Sequence, residues 1–180
     1  MQTGMVKLSK KTVYYGADGA MRYGEQKING KWYYFHMRTG AMQTGLQTVP
    51  LKNGGTKTVY YGTDGTMRYG EQKIKGKWYY FQQGTGAMQI GFAKVSGKTV
   101  YYGEDGAMRY EHQLIDGDYY YFHPKTGAMQ TGLLDFGGDR WGFYGADGKQ
   151  IPMIDAKTAI DAAHEFLKET ISDEDLEIIK

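Results

Sequence analysis

The chain has 180 residues, no cysteine and a net charge of +2 at pH 7. Without cysteine, disulfide bonds are excluded as a source of stability. Glycine is frequent, with 27 residues, and aromatic residues make up 15% of the chain. No run of about 18 apolar residues occurs, which excludes a transmembrane helix. The composition predicts a fold held by many small aromatic contacts between neighbouring units.

The charge is divided unevenly along the chain. Residues 155–180 contain three of the 22 basic residues and eight of the 20 acidic residues. Residues 1–154 therefore contain 19 basic and 12 acidic residues. This change near Pro152 predicts a repeat array over residues 1–151 and a helical segment over 152–180. The opening residues 1–5 resemble the end of a repeat such as residues 42–46, so we expect the array to be N-terminally truncated.

Two related motifs of roughly 20 residues alternate along the array. One contains Thr-Val-Tyr-Tyr-Gly, the other Gly-Lys-Trp-Tyr-Tyr-Phe, and each ends in a Gly-x-Met segment. Aligned on their Tyr-Tyr pairs, Trp32 corresponds to Val13 and Phe35 to Gly16. The spacing predicts about seven β-hairpins, near residues 6–24, 25–45, 46–70, 71–91, 92–111, 112–132 and 133–151.

Each repeat has the residues of a strand followed by a turn. In the first, Lys11 to Tyr15 favour an extended strand, residues 16–19 supply the turn, and residues 20–23 return. A residue pair Asp-Gly recurs in these turns, where the carboxylate can accept hydrogen bonds from backbone N–H groups. This predicts a structural role, rather than a catalytic or calcium-binding one, for Asp18, Asp64, Asp105 and Asp147. An insertion at residues 50–55 predicts a longer loop.

Isolated hairpins are marginally stable, so these must pack on one another. The predicted fold class is all-β, a β-solenoid of stacked hairpin repeats with a C-terminal α-helical cap. Strand alternation places Trp32 and Tyr34 on one face and Tyr33 and Phe35 on the other, and leaves open which face points inward. In the C-terminal segment, Asp155 can cap a helix with an apolar stripe, which predicts a cap, a homodimer contact or the start of another module.

The repeated words Gly-Lys-Trp-Tyr-Tyr-Phe and Thr-Gly-Ala-Met resemble those of the cell-wall-binding repeat superfamily. That group includes choline-binding repeats of streptococcal and phage lytic enzymes, glucan-binding repeats of glucansucrases, and receptor-binding repeats of clostridial toxins. The likeness covers roughly residues 1 to 151. It implies hairpins stacked in a β-solenoid, no catalysis, and ligands in shallow aromatic sites between consecutive hairpins. No cofactor or metal is expected.

One departure from the family concerns the residue after the first glycine of each unit, which is commonly Trp and helps to build a choline cage. The corresponding pairs here are Gly24-Glu25, Gly45-Leu46, Gly70-Glu71, Gly91-Phe92, Glu111-His112 and Gly132-Leu133. A cage made by Trp32, Tyr34 and Tyr61 would therefore be thinner, although Glu25 would favour a cation. Choline, as phosphocholine on teichoic acids, is the alternative ligand.

A sugar requires a flat aromatic platform for its C–H face and polar groups for its hydroxyls. Gln43, Gln89, Arg22, Arg68 and Arg109 could supply the polar groups. The predicted ligand-binding residues are Trp32, Tyr34, Tyr61, Trp78, Tyr80, Tyr102, Tyr119, Tyr121, Tyr15 and Tyr144. Repeated weak sites suit a polymer, because several of them bind it with high effective concentration.

Other functions fit less well. The four histidines, His36, His112, His123 and His164, recur with no carboxylate or serine in a catalytic arrangement, and no metal spacing occurs. Acidic residues interrupt the basic ones, so no continuous basic stripe for nucleic acid is present. The sequence predicts a non-catalytic module that binds wall polysaccharide, glucan or teichoic acid. It would anchor a secreted bacterial or phage protein, such as a wall hydrolase; a toxin-type or adhesin-type array is the other alternative.

Overall fold

A computed structural model describes residues 1–138, 140–152, 161 and 163–166. These residues form seven antiparallel hairpins, the all-β class of stacked hairpin repeats that the sequence predicts. In chain order, hairpins 1 to 7 are β1–β2 (Gly4–Leu8, Lys11–Tyr15), β3–β4 (Gly24–Ile28, Lys31–Phe35), β5–β6 (Gly45–Pro50, Thr56–Tyr61), β7–β8 (Gly70–Ile74, Lys77–Phe81), β9–β10 (Gly91–Val95, Lys98–Tyr102), β11–β12 (Glu111–Ile115, Asp118–Phe122) and β13–β14 (Gly132–Asp135, Trp141–Tyr144), the last with β15 (Gln150–Ile151) on β14.

The contacts divide the chain into two compact units. Unit 1 contains residues 1–90 and 104–107, and therefore hairpins 1 to 4. Unit 2 contains residues 91–103 and the described residues from 108 onward, and therefore hairpins 5 to 7. Each unit is a stack of the same kind of hairpin, and each is described by itself below.

The reversal of each hairpin lies one turn earlier than the sequence predicts. Strand β2 pairs over its whole length with β1 and meets Met21 at a single bridge, so the prediction that residues 20–23 form its partner strand is wrong. In hairpin 2 the chain reverses at Asn29 and Gly30, whose φ values of 48° and 79° are those of a type I′ turn. Hairpin 3 instead has a five-residue loop at residues 51–55, which confirms the predicted insertion.

The Asp-Gly segments form the connections from one hairpin to the next. The Asp18 carboxylate accepts a hydrogen bond from the backbone N–H of Ala20 at 3.0 Å, which holds the turn after β2. The same 3.0 Å bond is made to Asp64 by Thr66, to Asp105 by Ala107 and to Asp147 by Lys149. The predicted structural role of these four residues is confirmed.

Methionine and glycine link successive connections. The N–H of Met67 donates to the carbonyl of Trp32 in the preceding hairpin at 2.8 Å, and its side chain lies against Gly86, where a Cβ atom would overlap the sulfur. Gly86 also has a φ of +68°, so a side chain there is disfavoured twice. The same contact recurs at Met21 with Gly40, Met42 with Gly65, Met88 with Gly106, Met108 with Gly127 and Met129 with Gly148.

The core is built from the last aromatic residue of each second strand. Phe35 has no exposed surface, and its ring stacks on Tyr14 of the preceding hairpin at 6.0 Å between centroids. Tyr34 stacks in the same way on Tyr61, at 6.2 Å. The face that carries Phe35 therefore points inward, and the face that carries Trp32 and Tyr34 points toward the next hairpin, which answers the question that alternation leaves open.

The backbone register shifts the alignment of the two motifs by one residue. Tyr15 pairs with Gly4 as Phe35 pairs with Gly24, so Tyr15 corresponds to Phe35 and not to Tyr34. A shift of one residue moves a side chain to the other face of a strand. Three residues predicted to contact ligand are consequently core residues with no exposed surface: Tyr61, Tyr102 and Tyr144. Tyr15, at the end of the array, is half-buried.

The C-terminal segment is described at residues 161 and 163–166, which are helical. Phe166 packs edge-on against Phe143 of hairpin 7, with 6.0 Å between ring centroids. This contact is that of a cap on the last hairpin. The predicted cap residue Asp155 lies outside the described residues, and the domain boundary near Pro152 stays a prediction.

Candidate functional site

Two kinds of hairpin alternate along the chain. Odd hairpins end their second strand in a tyrosine, which is buried in hairpins 3, 5 and 7, and even hairpins end theirs in a buried phenylalanine. A tyrosine hydroxyl can make a hydrogen bond to a neighbouring hairpin, whereas a phenylalanine ring can make only apolar contacts. Tyr61 of hairpin 3 donates its hydroxyl proton to Glu25 of hairpin 2 at 3.1 Å, whereas Phe122 of hairpin 6 lies 6.3 Å from the ring of Phe92. Joints between successive hairpins are therefore of two chemical types.

The joint between hairpins 2 and 3 carries an open aromatic site, here called the Trp32 site, formed by Glu25, Trp32, Lys57, Met67 and Tyr69. Trp32 and Tyr69 pack, partly exposed, against the buried cluster that contains Met67. A groove of about 170 Å³ is lined by Trp32, Met67 and Tyr69 together with Arg68. A second cavity of about 250 Å³ is lined by Glu25, Trp32, Lys57 and Met67.

An ion pair holds the polar side of this site. Glu25 Oε1 lies 3.2 Å from Lys57 Nζ and also accepts the hydrogen bond from Tyr61. Lys57 Nζ donates in addition to the carbonyl of Thr85 at 2.9 Å. Burial and the neighbouring Glu25 carboxylate raise the pKa of both Tyr61 and Tyr69, so these hydroxyls remain protonated at neutral pH. The carboxylate and the ammonium are both fixed beside the Trp32 ring.

Lysines of the neighbouring strand already lie over the tryptophan rings of unit 1. Lys27 Nζ is 6.0 Å from the centroid of Trp32, and Lys73 Nζ is 5.7 Å from that of Trp78. These are internal cation–π contacts. Because the ammonium groups of Lys27 and Lys57 lie close to Trp32, they would repel a ligand cation bound at this ring.

The structure places the remaining predicted residues in several environments. Trp78 and Tyr119 are open platforms, 38% and 53% exposed, whereas Tyr34 is buried at 8%. Tyr80 and Tyr121 are half-buried. The predicted set does not form one site; its members Trp32, Tyr34 and Tyr61 come together at the Trp32 site, where Tyr61 belongs to the core.

The predicted hydrogen-bonding residues are used within their own turns. Arg68 pairs with the Asp64 carboxylate at 2.9 Å and Arg22 with Asp18 at 2.8 Å. The Gln43 amide donates to the carbonyl of Ala41 at 2.8 Å. Glu25 and Lys57 supply polar groups at the Trp32 site instead, and sequence reasoning gave Lys57 no role.

Two further functional candidates were missed by the sequence reasoning. Tyr69 lines the groove beside Trp32, and its signal was the recurrence of a tyrosine two residues after the methionine in odd repeats, at positions 23, 69 and 110. Trp141 is 48% exposed and pairs with Asp135 as Trp32 pairs with Lys27. The strand register would have identified Trp141 as the equivalent of Trp32, but the sequence of this degenerate repeat does not reveal the register.

In hairpins 5 and 6 of unit 2, the position of the family's cage tryptophan is occupied by other rings, Phe92 and His112. His112 lies 4.7 Å from Tyr121 and 4.8 Å from Phe136, and those two rings are themselves 4.8 Å apart. Such short distances leave no room for a ligand between the three rings. Phe92 packs likewise on Tyr101, at 4.9 Å.

The sequence profile of the choline-binding repeat family matches residues 2–45, 43–90 and 89–133. The chain belongs to the choline-binding repeat family. Each matched segment spans one odd and one even hairpin, so the two-hairpin period seen in the core is also the period of the family. Repeats of this family are modules that bind the cell wall.

Solved structures of Streptococcus pneumoniae proteins share the fold. CbpJ of strain TIGR4 is 26% identical, with a TM-score of 0.72 over 83% of this chain and 52% of its own. Choline binding protein F is 25% identical, with a TM-score of 0.70 and the same coverages. This chain thus spans about half the length of either protein. No curated protein matches the sequence.

The described part of the chain meets the requirements of neither a cluster of metal-ligating side chains nor a membrane-spanning helix. Among those residues, no group of three or more His, Asp or Glu side chains is placed to hold a metal ion. The helix that is described there is too short to span a bilayer. The comparisons give no support to the predicted homodimer.

Proposed function

We propose that this chain is a non-catalytic module that binds wall glycan and so holds a longer, secreted protein at the cell surface. The observation that carries the proposal is the Trp32 ring, partly exposed beside the fixed ion pair of Glu25 and Lys57. This arrangement offers one apolar face with one acceptor and one donor next to it.

A pyranose ring has the complementary chemistry. Its C–H face can lie on Trp32, while its hydroxyls donate to the Glu25 carboxylate and accept from Lys57. Because the two charged groups are held by Tyr61 and by the Thr85 carbonyl, binding costs little additional side-chain entropy. The tandem arrangement adds avidity, since Trp78, Tyr119 and Trp141 present similar exposed rings.

Choline is the second candidate, and the family match together with the corner formed by Trp32, Met67 and Tyr69 favours it. A trimethylammonium group gains about 0.5–2 kcal/mol from each good cation–π contact. Two observations rank it below a sugar. The charge of Glu25 is balanced by Lys57, and the Trp32 ring already has the Lys27 ammonium over it.

Retention on purified wall fractions tests the proposal. The double variant Trp32→Ala, Trp78→Ala should lose more than about tenfold in affinity, and more than either single variant, with folding kept. The matched control is Thr12→Ala, Thr58→Ala, which changes the same strand position in odd hairpins. Unchanged binding by the tryptophan double variant would refute the site.

Competitors distinguish the two ligands. Neutral oligosaccharides should displace the module from the wall fraction, and free choline at the same concentration should not. Displacement by choline alone would replace the glycan with the second candidate. Binding that persists on walls stripped of polysaccharide would instead indicate a protein receptor, as in toxin or adhesin arrays.

The longer protein is proposed to carry a catalytic domain, such as a wall hydrolase or a glucan-acting enzyme. The chain spans about half the length of the solved structures that it matches. Hydrolysis of wall material by the full-length protein, and none by this chain, is the expected result. Hydrolysis by the chain alone would contradict the non-catalytic assignment.

A further inference from the structure

The Trp32 site has one wall that comes from an insertion in the chain. Leu51, in the loop between β5 and β6, lines the cavity of about 250 Å³ together with Trp32 and Met67. Gly84 and Thr85, from the connection after hairpin 4, line the same cavity. The other groove at Trp32, of about 170 Å³, has no residue of this loop in its lining. The loop therefore makes the two grooves at one tryptophan different.

The fold does not require this loop. The strand ends that it joins are paired in the same way in hairpin 5: Val49 with Lys57, and Val95 with Lys98. Hairpin 5 joins them by the two-residue turn Ser96-Gly97, with φ values of 51° and 78°, whereas hairpin 3 uses residues 50–56. Because a two-residue turn is sufficient for this register, the additional residues are available for a role in the site.

The backbone of the loop holds Leu51 in place. The N–H of Leu51 donates to the carbonyl of Gly55 at 3.1 Å, and the N–H of Gly54 donates to the carbonyl of Leu51 at 3.2 Å. Gly54 and Gly55 have φ values of 87° and 75°, which are favourable only for glycine. The side chain of Leu51 is nevertheless 39% exposed. It therefore has apolar surface that a ligand in the cavity can cover.

The cavity has a polar part and an apolar part. In the proposed mode of binding, the hydroxyls of the sugar use the ion pair of Glu25 and Lys57, and its C–H face lies on Trp32. Leu51 and Met67 are the remaining apolar side chains of the lining. A hydroxyl placed against them would lose its hydrogen bonds to water without gaining a partner, whereas a methyl group would gain from burial.

We infer that Leu51 is a specificity-determining residue, and that the Trp32 site selects a sugar residue that carries a methyl group. The methyl group belongs to an N-acetyl substituent or is the terminal carbon of a 6-deoxy sugar, and it packs against Leu51 and Met67. This rests on the proposed function and names the substrate class of the same site. Burial of one methyl group should raise the affinity about fivefold over the matched sugar that has a hydroxyl at that position.

Titration of the whole chain with two matched pairs of sugars tests the inference. The first pair is a chito-oligosaccharide and a cello-oligosaccharide of equal length, which differ only in the acetamido or hydroxyl group beside the glycosidic carbon. The second pair is 6-deoxyglucose and glucose. In one pair the methyl-bearing sugar should bind about fivefold more tightly, and the pair that shows this preference identifies the substituent.

Two variants assign the preference to the loop. Leu51→Ser should abolish it and leave the affinity for the hydroxyl-bearing sugar within about twofold of the parent. Replacement of residues 50–56 by Ser-Gly, which copies the turn of hairpin 5, should have the same effect. The matched control is Leu46→Ser, because Leu46 lies on the same hairpin, is 42% exposed and lines neither groove of the Trp32 site. It should keep the preference, and thermal unfolding checks that all three variants fold.

Three results would overturn the inference. They are equal affinities within both pairs for the parent, a preference that survives in Leu51→Ser, or an equal loss of preference in Leu46→Ser. The proposed function fails in a different way. Trp32→Ala should weaken binding of both members of a pair, and unchanged affinities in that variant would refute the Trp32 site itself, whatever the result for Leu51.

Discussion

Units 1 and 2 are built from the same kind of hairpin, but the exposed side chains that their strands carry are different. In unit 1 the ring of each even hairpin has a lysine across the strand pair, as in Lys73 with Trp78. In unit 2 the same pair is Leu114 with Tyr119, and the ring is 53% exposed compared with 38% for Trp78. Backbone pairing and the core are common to both, so this cross-strand pair is free to set the ligand chemistry.

The joints between hairpins differ in the same way. In unit 1 the hydroxyl of Tyr61 has the Glu25 carboxylate as its partner. In unit 2 the hydroxyl of Tyr144 is buried without a partner among the described residues, while His112 packs on Tyr121 and Phe136. A polar network stabilises one joint and packed rings stabilise the other, and the predictions below address this difference.

The largest effect is expected from breaking the polar joint. Glu25→Ala removes the carboxylate that pairs with Lys57 and accepts the hydrogen bond of Tyr61, both shielded from solvent, and should reduce the free energy of unfolding by about 3 kcal/mol. The corresponding change in unit 2, His112→Ala, removes ring contacts only and should cost about 1 kcal/mol. Chemical denaturation measures both, and equal losses would mean that the two joints are energetically alike.

A substitution at the glycine–methionine contact, which occurs in both units, should have the same effect in each. Gly86→Ala in unit 1 and Gly127→Ala in unit 2 each place a Cβ against a methionine side chain at positive φ, and should cost about 2 kcal/mol. Gly54→Ala is the control, because its φ is +87° but its Cβ would meet open space. It should cost about 1 kcal/mol, the strain alone. A Gly54 loss as large as that of Gly86 would remove the methionine contact from the explanation.

One strand of unit 2 begins with a residue other than glycine at a positive φ, and replacing that residue by glycine should stabilise the protein. Glu111 has a φ of 59° where unit 1 has glycines such as Gly70, with a φ of 68°. Glu111→Gly should raise the free energy of unfolding by about 1 kcal/mol, because the left-handed conformation is strained for a residue with a Cβ. Glu111→Gln, which keeps the Cβ and removes the charge, should give no such gain; a gain with Gln would assign the effect to charge.

The smallest effect concerns acid stability in unit 1. The backbone N–H of Thr66, followed by its hydroxyl and by Arg68, lowers the pKa of Asp64, and the N–H of Ala20 with Arg22 lowers that of Asp18. A carboxyl with a lowered folded-state pKa stabilises the fold above its unfolded value of 3.8 and loses that contribution as pH falls toward the folded value. The double variant Asp18→Asn, Asp64→Asn should therefore show a flatter decline in melting temperature below about pH 4. An unchanged slope would contradict this role.

Much of the fold could be read from local pattern. The period, the loop at residues 51–55 and the role of the Asp-Gly turns depend on residues close in sequence. The alignment of the motifs could not be read, because Tyr-Tyr-Gly and Tyr-Tyr-Phe can be superposed in two registers one residue apart. The wrong register assigned Tyr61, Tyr102 and Tyr144 to the ligand face.

The sequence by itself determined that this protein is a stack of aromatic β-hairpins, since each repeat must carry the same strand, turn, glycine and methionine to pack on a copy of itself. The stacked structure decided which rings are buried, and it brought Glu25 to Lys57 and placed Leu51 in the same cavity as Trp32. Those neighbours belong to different repeats, and only the packing of one hairpin on the next sets the distance between them.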